Sequence, residues 1–293
     1  MKKIIVAIII TTLIVIAGCS YEKSDLYDSM ISDVANDGIL AIEPECDFWT
    51  NEYFVKENMG KKTCDFSAKK YTGEYDKSIV YKTNTFTTDL YVDSNFIEFG
   101  LKSDTSELVF VNLMNAEFFS TEPFLDDVEK PEENAMSLAK EIAQKYVADI
   151  SEYEQIVEEP ITREKEKDGK IYTITYYGIT YARKINDFYS SDYISLKITS
   201  KGHLASLLIG DIGKFSGVKI DVDKSLLNDS IAKKIESTYG GTPYSVLNYE
   251  IRDQKITYSP EGGIYVLSDI GVSLQDSTNY ITKTAIEIIT KVG

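Results

Sequence analysis

The chain has 293 residues, with 47 Asp and Glu against 31 Lys and Arg, and a formal charge of −16. So acidic a surface argues against nucleic acid and anionic membrane surfaces as direct ligands, and suits cationic peptides or divalent metal ions. The length allows one large or two to three small domains, and the single histidine excludes multi-histidine zinc sites.

The first nineteen residues carry an address. Lys2 and Lys3 form a positive n-region, residues 4–16 an apolar h-region, and Ile16-Ala17-Gly18-Cys19 a small-residue cleavage box. Thirteen apolar or Thr residues fall short of the ~20 that cross a bilayer. The box resembles the lipobox of bacterial lipoproteins, which implies cleavage after Gly18 and diacylation of Cys19. Two acyl chains give stable anchoring where one does not. Residues 1–18 are therefore expected to be a signal peptide and 19–24 an acylated tether, which places the protein on the extracytoplasmic face of the cell membrane. Loss of Lys2 and Lys3 takes the formal charge to −18.

Residues 25–125 read as a strand-rich α+β unit. Cys46 and Cys64 lie in similar settings, Glu45-Cys46-Asp47-Phe48 and Thr63-Cys64-Asp65-Phe66, and neither has a neighbouring His. Outside the cytoplasm a disulfide between them is expected, which would stabilise the fold by about 3 kcal/mol. A strand over 77–86 precedes a hairpin that begins at Ser94-Asn95-Phe96-Ile97-Glu98-Phe99-Gly100-Leu101-Lys102-Ser103. The same pattern recurs at Ser191-Asp192-Tyr193-Ile194-Ser195-Leu196-Lys197-Ile198-Thr199-Ser200. In both copies a polar turn leads to an apolar return strand, opened by Leu108 or Leu204.

Residues 126–217 form the next expected unit. A helix over 131–150 places Met136, Ala139, Ile142, Ala143, Tyr146, Val147 and Ile150 on one face, with Pro131 near its start. The Asp168-Gly169 turn then opens a strand over 170–185 that leads into the second hairpin. In the last unit, 218–293, Asp221 or Asp223 caps a helix over 224–239 with Leu227, Ile231 and Ile235 inward. Strands follow over 245–258, 263–274 and 280–289. Segregated helices and meandering strands predict an α+β protein of tandem helix-plus-antiparallel-three-stranded-sheet repeats.

The helix spacing of Ala139-Lys140-Glu141-Ile142-Ala143 is followed by Tyr193-Ile194-Ser195-Leu196 and the turn Lys201-Gly202-His203-Leu204. Together they resemble the PepSY and YcdB-type repeats of exported proteins of Gram-positive bacteria. The resemblance covers residues 131–289 and implies small helix-on-sheet units with an inhibitory or binding role.

No catalytic motif rises above chance. His203 sits in a hairpin turn without an orienting partner. Ser-x-x-Lys occurs at Ser20, Ser67, Ser137 and Ser230 without its companion motifs. Asp221-Val222-Asp223 opens like a calcium loop, but Leu226 and Ala232 occupy the positions that need Gly and Glu. Of the 21 tyrosines, Tyr172, Tyr176, Tyr177 and Tyr181 are the densest cluster. Period two puts Tyr172 and Tyr176 on one face, the expected binding face. The sequence therefore predicts a non-enzymatic lipoprotein, without cofactor or metal, that binds or inhibits an envelope protein or peptide. A carboxylate-dependent envelope hydrolase is the alternative, and it requires a deep pocket with two acids of divergent pKa.

Overall fold

Alternating apolar and β-branched residues turn most of the chain into strand. The computed structural model describes residues 46–48, 51–66, 69–81, 84–114, 129–167, 169–258 and 262–292. Gly18, Cys19, the signal segment and the tether lie outside the described residues. The strands are β1 (Cys46–Phe48), β2 (Glu52–Phe54), β3 (Lys62–Phe66), β4 (Lys69–Val80), β5 (Thr87–Val92), β6 (Glu98–Lys102) and β7 (Leu108–Asn112). Helix α1 (Pro131–Ala143) and a 3₁₀ turn (Ile150–Glu152) precede β8 (Glu154–Val157), β9 (Ile161–Lys167), β10 (Lys170–Ile185), β11 (Phe188–Thr199) and β12 (Leu204–Ile209). Helix α2 (Lys224–Tyr239) precedes β13 (Ser245–Tyr258), β14 (Ile264–Gln275) and β15 (Ile281–Lys291).

The expected fold class is overturned. The chain is mostly β, and its fifteen described strands join one large mixed sheet in place of tandem helix-on-three-strand repeats. The order is β1-β15-β14-β13-β11-β12-β7-β6-β5-β4-β2, with β10 on β11, β8 and β9 on β10, and β3 on β4. Each meander ends in a strand whose outer edge needs a partner. The last strands of two meanders, β7 and β12, pair antiparallel, and the start of β11, where β12 does not reach, pairs in parallel with β13. Period-two alternation reports which face of a strand is buried and is silent about its neighbours.

The two matching hairpins sit side by side about a local two-fold. Val111 pairs with Leu207, and Asn112 and Phe110 pair with Ser206 and Leu208, so equivalent positions exchange across the β7/β12 junction. Both copies shift register at the equivalent place, Gly100/Leu101 in one and Lys197/Ile198 in the other. Their turns match as well. Lys102 N–H donates to the Glu107 carbonyl and Thr199 N–H to that of His203, while Ser106 and Gly202 both take positive φ, 60° and 77°.

Among the described residues two large apolar cores form along the sheet. In the first, the small residues Ala135, Ala139 and Ala143 let α1 approach Ile179, Ile194, Leu196 and Ile198 of β10 and β11. The helix stops at Ala143, earlier than the expected residue 150. Val147, Tyr146 and Ile150 still pack on that core, which is why their spacing looked helical. In the second core, Leu227, Ile231 and Ile235 of α2 pack with Ile256, Val266, Ile270 and Ile288, each such burial worth roughly 1.5–3 kcal/mol. Asp223 caps α2 by accepting from Ser225 N–H and Leu226 N–H at 2.9 and 3.1 Å. Of the strand expected over 77–86, only 77–80 is strand, as the end of β4, and β5 starts beyond that span at Thr87.

The expected disulfide does not form, and Cys46 and Cys64 are free thiols. β1 and β3 lie toward opposite ends of the strand order. Cys64 packs beside Phe66 in the first core, whereas Cys46 packs against the second, its Sγ 3.0 Å from Thr290 Oγ1. Around Cys64, the Cys-Asp-Phe pattern is the in-out-in alternation of a strand, with Cys64 and Phe66 buried and Asp65 exposed.

Candidate functional site

The long strands β10 and β11 have two different faces. Ile179, Tyr181, Ile194, Leu196 and Ile198 belong to the core under α1, so by alternation Thr180, Ala182, Tyr193 and Ser195 point to the opposite, open face. β10 occupies one edge of β11 throughout. The other edge is shared: Tyr189 and Ser190 pair with Lys255 and Ile256 of β13, and from Ile194 onward the partner is β12. The sheet therefore forks at the start of β11.

A bulge builds the fork. Ala182 pairs with Tyr193 and Lys184 with Tyr189, so Ser190, Ser191 and Asp192 together face Arg183. Side chains serve the backbone that the bulge releases. Ser190 Oγ donates to the Arg183 carbonyl at 2.9 Å and accepts from Asp192 N–H at 3.3 Å. The carboxylate of Asp192, fully buried, accepts from Arg183 Nε at 2.8 Å and Tyr153 OH at 2.6 Å. Arg183 also reaches Glu152 at 2.6 Å and lies 4.9 Å above the Tyr153 ring. Burial, then Asp192 beside it, pushes the Tyr153 phenol up to about 12. On the far side of the bulge, Gly210 N–H donates to the Tyr193 carbonyl and Asp211 N–H to that of Ser191, at 2.9 and 2.8 Å. Gly210 is required there, since a Cβ would run into the Ser191 carbonyl oxygen.

A groove of about 370 Å³ opens in this fork on the open face. Thr180, Ser195 and Tyr193 line its floor, Ile156 and Glu158 one wall, and Asp253 and Lys255 the other. Lys255 of the lining pairs with Asp253 at 3.2 Å and the nearby Lys184 with Glu154 at 3.5 Å, while Lys197 lies on the same face opposite Gly178. Glu154 also accepts from Tyr189 OH at 3.0 Å. Glu158 is different. Its N–H is bonded to the Gly178 carbonyl at 2.9 Å, and its carboxylate fills the place a Cβ would take on Gly178. Among the described residues that carboxylate has neither a hydrogen-bond nor an ion-pair partner. Burial holds the Tyr193 phenol well above the ordinary tyrosine range, with Tyr81 and Asp211 adding to the effect, so it is a neutral hydroxyl.

The sequence-selected residues lie elsewhere. Tyr176 shares the open face but is 1% exposed, packed with Ile174 and Ala205 under Arg163, so it cannot serve as a binding surface. Tyr172 is half-buried nearer the start of the same strand, opposite Lys165 of β9. Further along the same face, Tyr193 and Tyr189 from β11 line the groove. Burial raises the Cys46 thiol and takes that of Cys64 to about 11, which suits packing and not reactivity. His203 is an exposed turn residue.

The buried carboxylates are engaged in structure. Asp89 accepts from Lys56, Ser78 and Ser103 at 2.7, 2.5 and 2.7 Å and is held below its ordinary pKa by these bonds, against its burial. Asp211 accepts from Thr85 N–H and Oγ1 at 3.1 and 2.7 Å. Its pKa is raised, chiefly by burial. Neither lines the groove. The chain matches no protein-family model, no curated protein and no solved structure.

Proposed function

We propose that this protein is a lipid-anchored, extracytoplasmic binding module that holds an extended peptide segment of an envelope partner in the groove at the sheet fork. The observation that carries this reading is the groove itself, an open site lined by Tyr189, Tyr193 and Glu158 over a floor fixed by two paired strands. Tyr supplies rigid, amphipathic contact area at low entropic cost. The lipobox residues Gly18 and Cys19 supply the address, and the PepSY-like motifs support a binding or inhibitory role.

The anchor is tested by Cys19→Ser. The expected outcome is loss of radioactive palmitate labelling and release from the membrane fraction, and retention of both contradicts it. The binding role is tested with a library of extended peptides and the purified full chain. Saturable binding that Tyr193→Ala weakens is expected, and a library without a single binder contradicts the reading.

A further inference from the structure

The third meander leaves an edge open. β15 carries β1 over residues 288–290 only, so from Ile281 to Glu287 its outer edge has no strand partner among the described residues. Val292 N–H donates to the Ile264 carbonyl and Asp276 N–H to that of Tyr280, and the register between β14 and β15 runs without a shift. Hydrogen-bonded pairs alternate with non-bonded ones along an antiparallel ladder. Even-numbered residues of β15 therefore turn their backbone groups to β14. Ile281, Lys283, Ala285 and Glu287 turn theirs outward, where no described residue bonds them.

Such an edge is a template for another strand, and proteins blunt it with charge, proline, bulges or short length. β9, an edge strand on β10, is blunted by five consecutive charged residues, Arg163 to Lys167. β2 is three residues long. The open stretch of β15, Ile-Thr-Lys-Thr-Ala-Ile-Glu, has no proline and no bulge, and most of it is β-branched. Its two charges are unmatched: neither Lys283 nor Glu287 has an ion-pair partner among the described residues, and Asp269 stands opposite Glu287 in register. Burial, and then Asp269, raise the pKa of Glu287.

A second copy of the same stretch supplies each missing partner. With two copies antiparallel about a two-fold axis at Thr284, Ile281 meets the partner's Glu287 and Lys283 the partner's Ala285, so every outward N–H and carbonyl faces its complement. The ladder ends where β1 begins at Ile288, and neither copy gives up its own pairing. Thr284 meets the partner's Thr284, and Thr282 the partner's Ile286, pairs that suit adjoining strands. Lys283 stands diagonal to the partner's Glu287, within the reach of a long side chain. We infer that this protein self-associates through β15, residues 281–287 of two copies pairing antiparallel about a two-fold axis at Thr284, with Lys283 of each held by Glu287 of the other. Seven residues a side bury less than the roughly 1,600 Å² of a standard stable interface, so the dimer exchanges with monomer.

Cross-linking rates read such an equilibrium. Thr284→Cys sets two thiols across a non-hydrogen-bonded pair, where Cα atoms lie about 4.5 Å apart, within the range of a disulfide. Ile281→Cys sets them six residues out of step, about 20 Å apart. The purified full chain carrying either change is oxidised mildly beside the unchanged protein, whose own thiols give the background, and the cross-linked peptides are identified by mass spectrometry. A dimer joined through residue 284 is expected to form about tenfold or more faster than one joined through 281. Lys283→Glu added to Thr284→Cys sets carboxylate against carboxylate and is expected to slow the cross-link about tenfold, and Glu287→Lys added to both is expected to restore it. Cross-linking at 284 no faster than at 281 overturns the interface. A rate that Lys283→Glu leaves unchanged, or that Glu287→Lys fails to restore, overturns the charge pairing and with it the register.

Discussion

Asp211 is buried at 3% exposure without a contacting cation among the described residues, and its carboxylate depends on Thr85 and Ser191 hydroxyls and one amide N–H. Burial raises its folded pKa above the ordinary value of 3.8. The sign follows from linkage: a carboxylate that holds its proton more tightly when folded lowers stability while ionised, and that cost fades as pH falls through the raised folded pKa. Asp211→Asn keeps an acceptor for Thr85 and removes the charge. It is expected to match or exceed wild-type stability at neutral pH, with the difference shrinking as the pH falls into the carboxylate range. Asp211→Ala leaves the Thr85 amide unpartnered and is expected to cost about 1–3 kcal/mol. Urea melts of both variants at several pH values read out the two effects. The thiols of Cys46 and Cys64 teach a related lesson. Their matching sequence context suggested a bridge, but one residue on each of two distant strands produces the same context.

At the scale of elements, the bulge at Ser190, Ser191 and Asp192 fixes the fork. It is held by Asp192, which ties Arg183 of β10 and Tyr153 after the 3₁₀ turn to the start of β11. Asp192→Ala leaves Arg183, with a side chain only 12% exposed, without its buried partner. Breaking a buried pair from one side costs about 3–5 kcal/mol, and a loss of that size is expected in urea unfolding. Asp192→Asn, which keeps an acceptor, is expected to lose less. Helix α1 illustrates the limit of periodicity. Apolar spacing continued to Ile150, yet the chain leaves the helix at Ala143 and packs Val147 on the same core by other means. Burial was legible there, and backbone conformation was not.

At the scale of the whole molecule, most strand positions were legible because alternation and turn residues mark them. The spans 170–185, 224–239 and 245–258 coincide with β10, α2 and β13. The merging of the meanders into one sheet was not legible, because pairing partners leave no trace in a period of two. The internal repeat was visible as sequence, but its meaning became visible only in the β7/β12 register, where Val111 meets Leu207. The groove was hidden for the same reason. Glu158, Tyr193 and Asp253 come from three separate stretches of chain, and only the fork brings them to one concave site. The tyrosine cluster lies on β10, one of the strands that bound the groove, but its Tyr176 is buried.

A peptide held at the fork would cover backbone from four stretches of chain. The most direct measurement is amide hydrogen exchange of the full chain with and without a saturating peptide taken from the extended-peptide library. New protection is expected in residues 156–158, 180–182, 189–195 and 253–255. Bound peptide that leaves these residues unprotected, or that protects only α1 and the face beneath it, would contradict the assignment.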